Sequence, residues 1–394
     1  METSNGTFKM FNAYYDARES VGNKSLIRIL SFINKVNPTV KTHCQLWYEG
    51  FEKPLIVQAH EYLLLWHRSW ETNKFGSQPH LIACKNPLNF APVSVSLVEH
   101  PCDQPTNNLK VIYNKIDGNS KKHFAVCVKD LDFMDDQTMQ IIEWIEILSL
   151  LGAEKIFVYV IKLHPNVMRT LKYYKSIGKV EIEMMTEPVG LPNREKSLTQ
   201  WLQNQLISLN DCLYKHMYEF DLLSPLDIDE IIMPTNPQDK TWKSLMDRVK
   251  PKGQLHREKL YSGYIARNVF FLLDNIHEGE IQPEVPENMM FLQHIYRAVN
   301  FSKPGVGAKA FQNTEEVIAM HNHFPMKCFS HEYCDYFHMD ESDVQLNHYR
   351  RDCENYPKDE CEGFKKNTVK DLNLWRYEKE IVERFQRSLK AVQG

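Results

Sequence analysis

The sequence has no apolar run approaching the roughly 18–20 residues that a membrane-spanning helix needs. Its best early candidate, "LIRILSFINKV" over residues 26–36, is broken by Arg28, Asn34 and Lys35 and lacks the order of a signal peptide. As written, the chain carries neither anchor nor export signal. It is expected to be cytosolic if complete, or to lack an upstream segment if not. No block of Lys and Arg stands out either. The 47 basic and 51 acidic residues leave a formal net charge of −4, so bulk electrostatics predict no affinity for nucleic acid. Internal repeats and low-complexity tracts are absent too. What remains is an ordinary globular composition, 43% hydrophobic and 25% charged, in a 394-residue chain long enough for about two or three domains.

Cysteine is not scarce. Cys44, Cys84, Cys102, Cys127, Cys212, Cys328, Cys334, Cys353 and Cys361 are many for a cytosolic enzyme and moderate for an exported one. Their odd number leaves at least one thiol free or paired between chains. Asn5-Gly-Thr, Asn23-Lys-Ser and Asn300-Phe-Ser are glycosylation sequons, which favour a lumenal setting slightly.

Residues 1–120 read as β-rich. Short β-branched runs such as "PLIVQAHEYLLLW" and "APVSVSLVEH" are separated by Pro, Asn and Gly, which predicts a small sandwich or an extra sheet. From His123 the pattern alternates. "FAVCVKDL", "KIFVYVI" and "VEIEMM" are buried-type strands. Between them lie a helix with Ile141, Ile145 and Leu148 on one face, stopped by Gly152, and a helix from Pro165 closed by Gly178. A longer helix follows, with Leu202, Leu206, Leu209 and Leu213 in register. Such alternation predicts an α/β domain over 121–365 on a mostly parallel sheet, with ligands at the carboxyl ends of its strands. Residues 366–394 form the last unit, with a charged amphipathic helix over 367–391 packed by Leu374, Ile381 and Phe385.

Three carboxylates, Asp227, Asp229 and Glu230, interrupt the apolar stretch "LSPLDIDEIIMP". Charges among apolar neighbours need compensation. A solvated turn is one account. On a strand, Asp227 and Asp229 share a face, and a hard divalent cation between them is the other account. Pro225 inside a central strand would remove a ladder donor, so Ser224-Pro225 predicts a late-starting or bulged strand. Asn210 and Asp211 on the long helix read either as a cap or core hydrogen bond or as contacts to a bound donor.

Two other clusters compete. Asp130 and Asp132 end a strand as the nucleophile and acid/base of a haloacid-dehalogenase phosphatase do, although Phe133 departs from that pattern. His321, His323, Cys328, His331, Cys334 and His338 are dense enough for a zinc site, but their spacing fits no standard finger, and oxidising surroundings would join the cysteines instead.

Taken in order, "FAVCVKDLDF", "IIEWIEILSLLGAEKIFVYV", "HPNVMRTLKYYKSIGKVEI", "LISLNDCLYKHMYEFDLL", "LDIDEIIMP", "FLQHIYRAVNFSKPG", "EVIAMHNHFP" and "LNHYRRDC" resemble glycosyltransferase family 92, its arthropod members above all, over about residues 45–390. The resemblance implies a GT-A fold, a Rossmann-like nucleotide-sugar-binding α/β domain here flanked by the β-rich N-terminal region and the C-terminal helix. It implies an inverting galactosyltransferase using UDP-galactose and Mn²⁺ or Mg²⁺ to form a β-linkage on a glycan or glycoprotein acceptor. Asp227 and Asp229 would be its metal motif, continued by Glu230, with Asn210, Asp211 and Asp227 at the donor. His321 with His323 beside it, or else His348, would complete the metal site. The resemblance further implies the Golgi lumen behind a membrane anchor that this chain does not contain. The base is not identified among Glu258, Asp274 and Glu278. A non-catalytic glycan- or protein-binding relative and the Asp130/Asp132 phosphatase are the alternatives.

Overall fold

The computed structural model describes residues 1–3, 6–22, 24–67, 70, 77–115, 120–185, 197–254, 261–275, 282–329, 333–353 and 356–393. The N-terminal region is a closed barrel rather than a sandwich. Its strands are β1 (Phe8–Asp16), β2 (Leu26–Ile33), β3 (His43–Trp47), β4 (Leu55–Leu64), β5 (Gln78–Lys85), β6 (Ser94–Val98) and β7 (Leu109–Ile112), in the order β1-β2-β5-β4-β3-β6-β7. Parallel pairing of Ala13 with Val111 closes it. Closure leaves no sheet edge exposed, and Phe8, Ala13, Ile29, Leu46, Val95 and Leu97 fill an inner core. Residues 26–33 of the broken apolar run form strand β2. Its interrupting Arg28 is buried, 3.3 Å from Asp16 and 2.9 Å from Glu61, so the charge is compensated inside the fold.

The second unit alternates as the sequence predicts. β8 (Lys122–Phe133), α1 (Thr138–Leu151), β9 (Lys155–Leu163), α2 (Pro165–Ser176), β10 (Val180–Met184), α3 (Leu198–His216) and β11 (Phe220–Pro225) follow one another. Gly152 at φ 109° ends α1 in the left-handed region. His164 accepts from the Asn166 amide at the start of α2, and Ser197 caps α3 through the Gln200 amide. β8, β9, β10 and β11 pair in parallel. With β13 (Gly263–Ala266), β16 (Lys309–Asn313) and β19 (Tyr336–His338) they form a seven-stranded mixed sheet of order β10-β9-β8-β11-β16-β13-β19, in which β16 runs antiparallel to β11 and β13.

Smaller pieces lean on this sheet. β12 (Glu230–Pro234), β14 (Asn268–Leu272) and β20 (Val344–Arg350) form a three-stranded sheet with β20 in the middle. β15 (Tyr296–Ala298) pairs with β21 (Thr368–Lys370), and β17 (Val317–Met320) with β18 (Pro325–Cys328). α4 (Trp242–Gln254), α5 (Met290–Gln293), α6 (Lys358–Lys366) and α7 (Glu378–Gln393) complete the described elements. The C-terminal helix begins later than its charge pattern suggests, because residues 368–370 are taken into a strand. Ile381 and Phe385 are buried as expected. The Ser388 hydroxyl pins α7 to α1 by donating to Glu146 at 2.7 Å. α3 lies between the sheet and the barrel, where Leu206, Leu209 and Leu213 are buried while Leu202 is exposed.

Four disulfides join Cys44 to Cys84, Cys127 to Cys212, Cys328 to Cys334 and Cys353 to Cys361, and the exposed Cys102 is free. The Cys328–Cys334 bridge removes both sulfurs from the zinc cluster considered above, and His331 lies outside the described residues. Among the described residues no helix is long and apolar enough to cross a membrane.

Candidate functional site

The acidic stretch is not one strand. β11 ends at Pro225 and β12 begins at Glu230, so Asp227 and Asp229 occupy the tight connection between them. Strand parity therefore does not set their directions, and the turn does. The Glu230 amide donates to the Asp227 carbonyl at 3.0 Å, and the Asp227 amide donates to Glu230 Oε2 at 2.9 Å. From outside, Gln140 of α1 donates to the Ile228 carbonyl and Trp144 to the Glu230 carbonyl. The Tyr349 amide holds the Asp229 carbonyl at 2.9 Å. Ser224-Pro225 does not weaken the strand. Pro225 is its last residue, and the pairing of β11 with β16 stops earlier, at Leu223 and Gln312, so no ladder partner awaits the missing N–H.

The carboxylates meet three basic groups. Lys129 of β8 reaches Asp227 Oδ1 at 3.0 Å. Lys309, at the start of β16 and fully buried, lies 3.3 Å from Asp227 Oδ2 and 2.8 Å from Glu230 Oε2, and donates to Asn322 Oδ1 at 2.6 Å. Burial works against ionisation of Asp227, but the two ammoniums outweigh it and hold its carboxyl well below the usual range. Glu230 is pushed upward instead, by burial and by its acidic neighbours acting against Lys309.

His348 is the third group. Antiparallel pairing of β12 with β20 places it directly opposite Glu230. Its Nε2 stands 3.5 Å from Asp229 Oδ2, while its Nδ1 is 3.0 Å from Asn268 Oδ1 on β14. Asn268 donates its own amide to Ser302 Oγ at 2.7 Å, which turns its oxygen toward the imidazole. Nδ1 therefore carries hydrogen, and Nε2 is the nitrogen presented to Asp229.

This cluster borders a cleft of about 890 Å³ at the carboxyl ends of β8 and β11. Its lining includes Lys129–Phe133, Trp201, Asp227–Asp229, Met290 and Tyr349–Asp352. That is where an α/β sheet binds ligands. Asp130 faces the same cleft and is 7% exposed, with Oδ1 lacking a hydrogen-bond partner among the described residues. Burial pushes its carboxyl up to about 6.

Other expected site residues fall elsewhere. Asn210 is fully buried and bonds the Leu206 and Met320 carbonyls and the Met320 amide. Asp211 is equally buried and accepts from Asn12 and Tyr159, at 2.6 Å each, from Tyr14, and from Lys215. Both are spent on joining α3 to its neighbours, which corrects the expectation that they contact a donor. His321 packs against Trp70 and Phe324, and His323 Nδ1 bonds the Ala308 carbonyl at 2.8 Å. Among the described residues no hydrogen bond or ion pair joins either histidine to the acids, and burial drives both well below the usual histidine range. Asp274 sits in the turn after β14, and Glu258 and Glu278 lie outside the described residues. Sequence reasoning missed Lys129 and Lys309. A lysine inside the buried-type runs "FAVCVKDL" and "GAKAFQN" was the available signal.

Among the described residues no group of three or more His, Cys, Asp or Glu side chains could by itself hold a metal ion. Mg²⁺-type sites commonly use one or two carboxylates and complete their shell with substrate phosphates and water. Asp227 and Asp229, which line the cleft, offer oxygens, and His348 offers a nitrogen 3.5 Å from Asp229.

The sequence model described as glycosyltransferase family 92 matches residues 122–385, and the chain belongs to that family. It is 26% identical over 234 residues to a Caenorhabditis elegans protein named beta-1,4-galactosyltransferase galt-1, an alignment covering 57% of this chain and 51% of the relative. The chain thus spans about half the length of that curated relative. A solved structure from Bacillus anthracis named for a glucose-1-phosphate thymidylyltransferase, in complex with a sucrose, overlaps 49% of this chain and 72% of its own. Its identity is 10% and its TM-score 0.24, too low to support an argument about fold.

Proposed function

We propose that the chain is a metal-dependent inverting galactosyltransferase with a GT-A domain, moving galactose from UDP-galactose to a glycan or glycoprotein acceptor in β-linkage. The observation that carries this is the pairing of Asp229 with the Asn268-oriented His348 beside Asp227, at the strand-end cleft of a family 92 chain. The sheet order, with its one antiparallel insertion, supports the GT-A assignment. The name of the nematode relative supports galactose and the β-linkage. Four disulfides favour an oxidising compartment such as the Golgi lumen.

Asp227, Asp229 and His348 would hold Mn²⁺ or Mg²⁺, which when bound neutralises charge on the UDP leaving group. The chain's own residues set the rest. The cleft seats the donor, and Lys129 and Lys309 keep Asp227 ionised. Inversion requires a single displacement. The acceptor hydroxyl loses its proton to a base as its oxygen bonds to the sugar C1, and the bond from C1 to the diphosphate oxygen breaks.

Transfer from UDP-galactose with Mn²⁺, assayed on the wild type and on Asp229→Ala, tests the proposal. Loss of at least a hundredfold in transfer is expected for the variant. Full activity in Asp229→Ala would sink the metal assignment. Absence of transfer in the wild type over a range of glycan acceptors, with UDP still bound, would favour the non-catalytic reading.

A further inference from the structure

Two lysines share Asp227, and they are built differently. Lys309 is fully buried among three oxygens, those of Asp227, Glu230 and Asn322, and has no open side to move toward. Lys129 is 17% exposed at its side chain, and among the described residues its hydrogen-bonding contacts, at 3.0 and 3.1 Å, fall on the one carboxylate of Asp227. It lines the cleft, and it sits where the β8–β9 register breaks between Val128 and Leu131. Lys309 is a fixture, whereas Lys129 is hydrogen-bonded, among the described residues, to Asp227 at the edge of the cleft.

We infer that Lys129 is a built-in counter-cation for Asp227, displaced by the arriving divalent ion and then turned to the diphosphate of the donor. The inference rests on the proposal that the ion binds at Asp227 and Asp229. A cation arriving at Asp227 meets two ammoniums already there, and like charges a few ångströms apart repel. Lys129 is the one that yields, because its side chain reaches the cleft while Lys309 is fully buried, and a fully buried ion pair leaves an uncompensated charge when broken. Its four-carbon stem lets the ammonium swing. Once freed at the cleft wall, it faces the space in which a diphosphate would lie. The acid is thus held in place before the ion comes, and the displaced charge is reused on the donor.

The test uses the full chain and follows Mn²⁺ by the fall in its free-ion electron paramagnetic resonance signal, with and without UDP. Lys129→Met should bind Mn²⁺ about fivefold more tightly in the absence of UDP, since a competitor worth about 1 kcal/mol is gone. At saturating Mn²⁺ the same variant should bind UDP about tenfold more weakly, having lost a charge-assisted hydrogen bond. Lys129→Arg should return both quantities toward wild type. A residue that merely supported the fold would weaken both together. Mn²⁺ affinity unchanged or lowered in both Lys129 variants, or UDP held by Lys129→Met as well as by wild type, would overturn the inference. Asp229→Asn reports on the underlying reading separately. If it loses Mn²⁺ while Lys129→Met is unchanged, only the lysine inference falls. If it binds Mn²⁺ like the wild type, the metal assignment fails and the inference with it.

Discussion

His348 faces Asp229 with its Nε2 3.5 Å from the carboxylate oxygen, and Asn268 grips the opposite ring nitrogen at 3.0 Å. Three elements that are distant in sequence meet there, the β11–β12 turn, β14 and β20. Partners of a metal-ligating imidazole fix its tautomer, and their loss typically costs ten- to a hundredfold in affinity. Asn268→Ala is therefore expected to weaken Mn²⁺ binding at least about tenfold with His348 intact, read by the same resonance titration. Unchanged affinity would mean that His348 is not a ligand.

Asp130 gives a stability prediction of definite sign. Its folded carboxyl lies at about 6, above the ordinary aspartate value, so the folded chain binds more protons than the unfolded one between about pH 4 and 6. Stability on this account falls as pH rises through that window and then levels off. Asp130→Asn removes the group, and at pH 7.5 it should be more stable than wild type by roughly 2–3 kcal/mol, a difference that closes by pH 4. Thermal melts at the two pH values check this. A variant that melts lower at pH 7.5 would show that the Asp130 carboxylate is stabilised by partners in the fold.

Glu146 should behave in the opposite sense. Burial disfavours its charge, but Ser388, Lys179 and Tyr174 all donate to it, and its pKa is lowered. This contribution is present above the ordinary glutamate pKa and is lost as pH falls through the lowered value. Glu146→Leu leaves these donors facing an apolar side chain and frees α7 from α1. A loss of about 2–3 kcal/mol at pH 7 is expected, together with faster proteolysis after Tyr377. Cleavage resistance equal to wild type would show that Ile381 and Phe385 hold α7 by themselves.

Local pattern carried the alternating half of the fold. Gly152, Pro165 and Gly178 marked helix boundaries, and the β-branched runs marked β8, β9 and β10. The barrel was less legible because β1 and β7 pair across about a hundred residues, and no short window contains that contact. In the candidate site, sequence put His321 and His323 ahead of His348 as companions of Asp227 and Asp229, yet only His348 comes beside the acids, and the reason that joined the acids was not the one that operates. Parity assumed a continuous strand, whereas a turn holds the acids and a β12–β20 ladder brings the histidine. Asn210 and Asp211 misled because polar residues near strand ends can serve a ligand or a helix contact equally well in sequence. Their burial decides. Lys129 and Lys309 were passed over because a lysine in an apolar run has meaning only once its partner across the sheet is known.

Glu143 links the cleft wall to the core. Its fully buried carboxylate accepts the amides of Met290 at 2.6 Å and of Phe291 and Leu292 at 3.0 Å each, so one side chain of α1 satisfies the start of α5. Burial nonetheless pushes its carboxyl up to about 7, so the site sits near the edge of ionisation. Glu143→Ala would orphan three buried donors, for which a loss of about 2–4 kcal/mol is expected. Met290, whose amide Glu143 holds, lines the cleft, so UDP binding should weaken as well. Glu143→Gln separates the two effects. It keeps the size and one acceptor oxygen but sets an amide N–H against the donors, so it should lose less stability than Glu143→Ala, with no pH dependence between 5 and 8. Melts of both variants across that range, beside a UDP titration, decide the matter. Equal destabilisation by Ala and Gln would show that carboxylate acceptance, and not volume, fixes α5 in place.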